Sequence, residues 1–392
     1  VENVLKNFPG SAAVLLTTGD DGNLRGYRAG EVLVQKDLAN TYRQIRDRGT
    51  KWFYNGEFAR KTAGWMKAHG GIMTEADFAN YNTVKRSPVR STYRDYEIIG
   101  FPPPSSGGVH VAQILNVLES FDLAEMHRKD PASMYHVIGE SMKFAFADRA
   151  HWLGDPDFVN VPKGLIDQGY ADQIAAKISL DKCATTSFGT PPKSDSEFFE
   201  RHTTHIAAAD ADGNFVAITS TVNTTFGSKV IIPGLGVVMN NQMDDFVAIP
   251  DKPNAFGLVG GKRNAVEARK RPLSSMSPTI VLKDGQPVLT VGAAGGPKII
   301  TEVVNAIVHH LDLGKPIDQA IRQPRVHHQW SPDRLVLESS FDKDIVERLK
   351  AKGHQVTLAK SGGICQGISF DPKTQTFRGA ADPRTTGAAG GN

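Results

Sequence analysis

RHTTHIAAADADGNFVAIT, residues 201–219, is the stretch on which the reading of this chain turns. Residues 206–209 and the run 215–221 are short and β-forming, and the ADADGN between them carries the Asp, Asn and Gly of a tight turn. A hairpin is therefore expected to start at the two threonines. A β-branched pair is an ordinary way to open a strand, and on spacing alone that plain reading stands. The chemical reading needs one more event. A threonine inside a continuous chain is a poor nucleophile, because nothing deprotonates it. If the bond between His202 and Thr203 is cut, Thr203 gains an α-amine with a reference pKa of about 7.7–8.0, and one residue carries both nucleophile and base.

Outward from this stretch, residues 186–202 are rich in Ser, Thr, Pro and charge and read as a surface linker. Further upstream, AAVLLT (12–17), the GDDGN turn and EVLVQ suggest a β-hairpin. Helical spacing follows over Lys36–Arg48 and again over GEFARKTAGWMKAHGG, and Thr74 with Asp77 resembles a helix cap. Tyr96–Ile99 read as a strand and FPPPSSGG (101–108) as a loop, before two helical stretches, HVAQILNVLESF and MYHVIGESMKFAFADRAHW. Downstream, strands are expected at Val237–Met239, Thr279–Leu282 and Pro287–Val291, and GAAGG (292–296) leads into the helical KIITEVVNAIVHHLDLG. Helices and strands are clustered rather than alternating, which predicts layered α+β structure.

Composition excludes several classes of function. The chain has 392 residues, with 45 Lys plus Arg against 42 Asp plus Glu. The net charge of +3 is too small and too scattered to predict a nucleic-acid or anionic-membrane partner. No apolar run reaches membrane-spanning length, and the first residues, VENVLKNFPG, carry no export signal. Cys183 and Cys365 have no metal or redox spacing and read as two unpaired thiols.

Three polar stretches carry candidate chemistry. GAAGGPKI fails the phosphate-loop pattern, since Pro297 stands at the second glycine and Ile299 follows Lys298. A plain tight turn remains one reading of it, and an oxyanion hole made by the N–H groups of Gly295 and Gly296 is the other. NNQMDDF (240–246) joins amides to Asp244 and Asp245, acceptors that suit an ammonium group, while Ser274, Ser275 and Ser277 in RPLSSMSPTIV offer hydroxyls to a carboxylate. Together these two stretches could bind an amino acid. HHQW (327–330) lies in no elbow or metal motif, and its histidines read as structural.

Taken in order, TTHIAAADADGN, TSTVNTTFGS, NNQMDDF, NAFGLVGG, KRPLSSMSPTIV and GAAGG resemble the γ-glutamyltranspeptidase family of N-terminal-nucleophile hydrolases. AGEVLVQKDLA, FPPPSSGGVH and ADRAHWLGDPDFV are similar to that family's large subunit, so the resemblance runs from end to end. It implies an α+β fold, the four-layer αββα sandwich of such hydrolases. It implies autocleavage between His202 and Thr203, which divides the chain into residues 1–202, the C-terminal portion of a large subunit, and 203–392, a small subunit. Thr203 matches the nucleophile and Thr221 the threonine that orients it. Asn223, Gln242 and Asp245 match the groups around the donor's α-amino end, Ser274 and Ser275 its α-carboxylate ligands, and Gly295 and Gly296 the oxyanion-hole amides.

The implied reaction passes a γ-glutamyl group from glutathione or a similar donor to water or an amine, with no metal or organic cofactor. A β-lactam or glutaryl acylase with the same nucleophile is the enzymatic alternative, and an amino-acid-binding protein that never cleaves itself is the other. The resemblance also implies an upstream large-subunit segment carrying an arginine for the α-carboxylate, and a periplasmic or secreted location. Phe256 stands where many bacterial relatives place a tyrosine over the site. It keeps an aromatic lid that cannot donate a hydrogen bond to Asn223, so a looser lid is expected.

Overall fold

In the computed structural model, residues 1–192, 205–249, 252–254, 256–360 and 363–391 are described. The bond between His202 and Thr203, and Thr203 itself, lie outside these residues. The chain divides into two compact units, residues 1–84 with 222–242 and residues 85–221 with 243–392. These spatial units cut across the boundary expected at 202/203.

The first unit is mainly helical. Helices Lys36–Arg48 and Glu57–Ala68 form where the apolar spacing predicts them. The short helix Glu75–Ala79 opens on a capping box in which the Thr74 N–H donates to Asp77 Oδ2 at 2.7 Å. Trp52, Phe58, Ala59 and Phe78 are buried against Val230, Ile232 and Leu235, so the loop 222–242 supplies three of the seven residues of this small core. Two expectations shift here. Pro9, whose fixed φ suits a helix start, begins a helix Pro9–Leu15, and the hairpin is pushed on to Leu16–Thr18 paired with Leu24–Gly26. The strand expected at Val237–Met239 reduces to one bridge between Ile231 and Val238.

The second unit is built on an antiparallel sheet of six strands. Their order is Thr376–Ala380, Ile364–Asp371, Gln286–Ala294, Thr279–Lys283, Tyr96–Gly100 and Val89–Tyr93. Strand Gln286–Ala294 lies near the middle, and its apolar run VLTVGAA is long because both of its faces are covered. On one face Leu289, Val291 and Ala293 join a continuous core with Ile300, Val303 and Ile307 of helix Lys298–Leu311 and with helices Gly107–Leu118 and Pro131–Trp152. On the other face Thr290 Oγ1 donates to Val216 O at 3.2 Å, and a Cβ on Gly292 would fall 2.2 Å from the His205 ring. That face therefore carries the hairpin His205–Ala209/Phe215–Thr219, which forms as expected around ADADGN. Helix, sheet and second sheet follow one another in the order of an αββα sandwich.

Helix Gly107–Leu118 is buried along its whole length. Only glycine fits at its start: a Cβ on Gly107 would meet Met276 O at 1.9 Å, and one on Gly108 would meet Phe101 O at 2.4 Å. This close approach brings FPPPSSGG against the serine-rich segment 273–277. The linker expected over 186–202 is, in its described part, tied down. Trp152 Nε1 donates to Gly189 O, the Gly189 N–H to Asp148, and Trp330 Nε1 to Thr186 O.

Candidate active site

The serine segment and the end of helix Pro131–Trp152 meet at a buried polar corner. Ser106, at the cap of helix Gly107–Leu118, donates both its N–H and its hydroxyl to Ser274 O, each at 2.8 Å. The Ser274 N–H donates to Pro104 O at 2.8 Å, and Ser105 Oγ to Met276 O at 2.7 Å. These bonds fix the backbone that presents Ser274 and Ser275. Arg149, in the last turn of helix Pro131–Trp152, is 4% exposed. Its Nε donates to Ser106 Oγ at 2.9 Å and its Nη2 to Ser275 Oγ at 3.2 Å. Burial pushes the Arg149 guanidinium down to about 10, and the charge of Asp245 opposes that shift.

Asp245 is buried in the turn Gln242–Asp245. Its carbonyl accepts Asn264 Nδ2 at 2.8 Å, and Asn264 Oδ1 in turn accepts the Leu273 N–H at 3.0 Å. One buried amide therefore ties the acidic turn to the residue just before Ser274. Charge of both signs flanks the serine pair, which suits a zwitterion.

The glycine loop is built differently. Strand Gln286–Ala294 runs out into Gly295 and Gly296, with φ of 148° and 60°, and helix Lys298–Leu311 begins directly after Pro297. Both positive φ values favour glycine. Among the described residues no group accepts a hydrogen bond from the N–H of Gly295 or Gly296. Two open donors beside a helix N-terminus make an anion-stabilising position. Phe256 leans on this loop, since a Cβ on Gly296 would lie 2.7 Å from Phe256 Cδ1. Asn254 Oδ1 accepts the N–H groups of Phe256 and Leu258 at 3.0 and 3.1 Å, and Gln329 Nε2 donates to Gly257 O at 3.3 Å.

Seven of the sequence-derived residues fall in the second unit: Thr221, Asp245, Phe256, Ser274, Ser275, Gly295 and Gly296, with Ser274 and Ser275 in the polar corner and Phe256 against Gly296. Thr221 lies two residues beyond strand Phe215–Thr219. Asn223 and Gln242 belong to the first unit. Asn223 adopts a left-handed φ of 81° and donates from Nδ2 to Asn241 O at 2.9 Å. The sequence reading missed Arg149, Ser106, Asn264 and Gln329. An arginine within the buried helical run KFAFADRAHW was the available signal for the first.

The histidines fit the structural reading. His205 Nδ1 lies 3.0 Å from Thr219 Oγ1, and burial pushes the ring down to about 4. His327 sits at 2.9 Å from Thr301 Oγ1 and is pushed down to about 3 by burial. His136, Glu140 and His354 have ligand atoms within 4.8 Å of one another. These groups already have partners: Lys143 Nζ pairs with Glu140 at 2.9 Å and Asp333 at 3.2 Å, and His136 Nδ1 lies 2.7 Å from His354 Nε2. Cys183 and Cys365 are unpaired thiols.

Residues 2–392 match the family described as γ-glutamyltranspeptidase. The chain is 43% identical over 383 residues to the glutathione hydrolase proenzyme of Escherichia coli (strain K12), covering 97% of this chain and 65% of that protein. It is 36% identical to the acylase ACY 1 proenzyme of Pseudomonas sp. (strain SE83), covering 98% of this chain and 65% of that one. Among solved structures it is similar to cephalosporin acylase from Bacillus halodurans, with a TM-score of 0.81 and 28% identity over 92% of this chain and 63% of that one. The chain thus spans 63–65% of the length of these three relatives.

Proposed function

The chain belongs to the γ-glutamyltranspeptidase family, and from that membership we propose that it transfers and hydrolyses γ-glutamyl groups. The observation that carries this reading is the pair of charges at the serine segment, Arg149 bonded to Ser275 and Asp245 acting on Arg149 through its charge. A donor with an α-ammonium and an α-carboxylate matches both. Cleavage before Thr203 frees its amine and makes Thr203 the first residue of the small subunit. Thr203 Oγ then attacks the γ-amide carbon of glutathione or a similar donor. The Thr203 amine takes the hydroxyl proton, and Thr221 orients the nucleophile. Negative charge gathers on the carbonyl oxygen, where the Gly295 and Gly296 N–H groups receive it, each such donor being worth ~3–4 kcal/mol of barrier. Collapse expels the leaving amine, which takes the proton from the Thr203 amine. Water or an acceptor amine attacks the resulting ester in the reverse sense. Asn223 and Gln242 assist at the ammonium end. A periplasmic or secreted location accompanies this reading.

A second reading, acylase activity, is favoured by the likeness to the two acylases. Turnover of γ-glutamyl-p-nitroanilide against glutaryl-p-nitroanilide separates the two. The γ-glutamyl compound is expected to be preferred, and a preference for the glutaryl compound would sink the transpeptidase reading. Denaturing electrophoresis with N-terminal sequencing checks the cut. Two bands, one starting at Thr203, are expected, whereas a persistent single band would leave only a binding protein.

A further inference from the structure

Arg149 stands out among the buried cations. Lys143 faces Glu140 and Asp333, and Arg325 faces Glu302 and Asp382, each within ion-pair distance. Arg149, equally buried, has hydroxyls as its hydrogen-bond partners, Ser106 through Nε and Ser275 through Nη2. Nη1 donates to no described group. The charge of Asp245 acts on the guanidinium as well, opposing the effect of burial. Burying a cation that has hydroxyls rather than a carboxylate as its hydrogen-bond partners is costly, and an arriving anion would relieve that cost. Its position is over-determined. The guanidinium leaves the last turn of a buried helix, is held by a serine that also clamps the Ser274 backbone, and ends on Ser275.

We propose that Arg149 is a positioning residue for the donor's α-carboxylate: it fixes the Ser275 hydroxyl with that oxygen's lone pairs engaged by Nη2, so that the hydroxyl proton is directed to the arriving carboxylate, and it supplies the buried positive charge that the carboxylate neutralises. This rests on the γ-glutamyl reading above and gives a part in donor recognition to a residue outside the serine motif. A hydroxyl that accepts from a guanidinium is polarised and has its O–H free to donate, which makes it a better carboxylate ligand than a serine alone.

The test compares three anilides in the full-length, processed protein. γ-Glutamyl-p-nitroanilide carries both α-groups, glutaryl-p-nitroanilide only the carboxylate, and 4-aminobutanoyl-p-nitroanilide only the ammonium. Arg149→Met is expected to raise KM for the two carboxylate-bearing donors about 10- to 100-fold, the worth of a charge-assisted hydrogen bond. Its kcat should change far less, and its kcat/KM for the 4-aminobutanoyl compound should stay within about twofold. Arg149→Lys keeps the charge but loses the fork, so it should fall between parent and Met. Should Arg149→Met fail to process or fold, the Lys variant carries the same comparison through the ratio of carboxylate-bearing to carboxylate-free donors. A similar loss on all three compounds, or none on any, overturns the proposal and leaves Arg149 a structural residue. Parent protein that cleaves none of the three overturns the γ-glutamyl reading itself, and this inference with it.

Discussion

At the serine corner, Arg149, Ser106 and Ser274 arrive from three distant segments and meet inside the second unit. At the glycine loop, Gly295 and Gly296 are neighbours in sequence and offer only their backbone. The corner holds its polar atoms by mutual hydrogen bonds in a close-packed setting. The loop instead has no acceptor for its two N–H groups among the described residues, and Phe256 packs against it. The corner is therefore expected to respond to substitution through stability and donor affinity. The loop is expected to respond through rate, with little change in stability.

The sharpest way to break this contrast is Gly107→Ala. The added Cβ would fall 1.9 Å from Met276 O, which is backbone and cannot step aside. Displacing that segment moves the serines with it. A loss of about 3 kcal/mol or more is expected, seen as a fall of several degrees in Tm. An unchanged melting curve would show the corner to be as yielding as the loop. Next comes Gly296→Ala. Here φ of 60° costs an alanine about 1–2 kcal/mol, and its Cβ would lie 2.7 Å from Phe256 Cδ1, the edge of a ring that can move. Small displacement of an oxyanion donor should lower kcat by about 100-fold while Tm falls only slightly. Adding Phe256→Ala should restore part of the rate, because it removes the clash. No recovery would mean that strain at φ, not the ring, sets the loop's position.

The same contrast explains what could be read from the sequence. The hairpin around ADADGN, the central strands and the helix after GAAGG follow from local periodicity and turn chemistry, and all are present. The glycine pair was legible because its whole device lies in adjacent residues. The serines and Asp245 were legible as residue types, but not the partners that position them. Arg149 is 126 residues from Ser275, and Asn264 joins Asp245 to Leu273 through side-chain bonds that no periodicity encodes. Resemblance to a family grouped the serines with Asp245, but supplied neither Arg149 nor Asn264. AAVLL suits a helix or a strand, and Pro9, three residues before Ala12, decides for the helix Pro9–Leu15.

The smallest expected effect concerns the cover over the glycine loop. Gln329 Nε2 donates to Gly257 O at 3.3 Å, and its Oε1 lies 3.0 Å from His327 Nε2. Gly257, at φ 73°, directly follows Phe256, so this amide steadies the turn that carries the ring. Gln329→Ala removes one modest hydrogen bond from each neighbour, about 0.5–1.5 kcal/mol apiece. Burial already holds His327 at about 3, and loss of the Gln329 bond lowers it further, so the ring stays neutral and no new charge is created. What remains is a looser aromatic cover. Water should reach the acyl-enzyme more readily, raising the ratio of hydrolysis to transfer about twofold, while KM for the γ-glutamyl donor stays at its parent value. A rise in donor KM like that expected for Arg149→Met would mean that the cover and the serine corner move as one, and the division between them would fail.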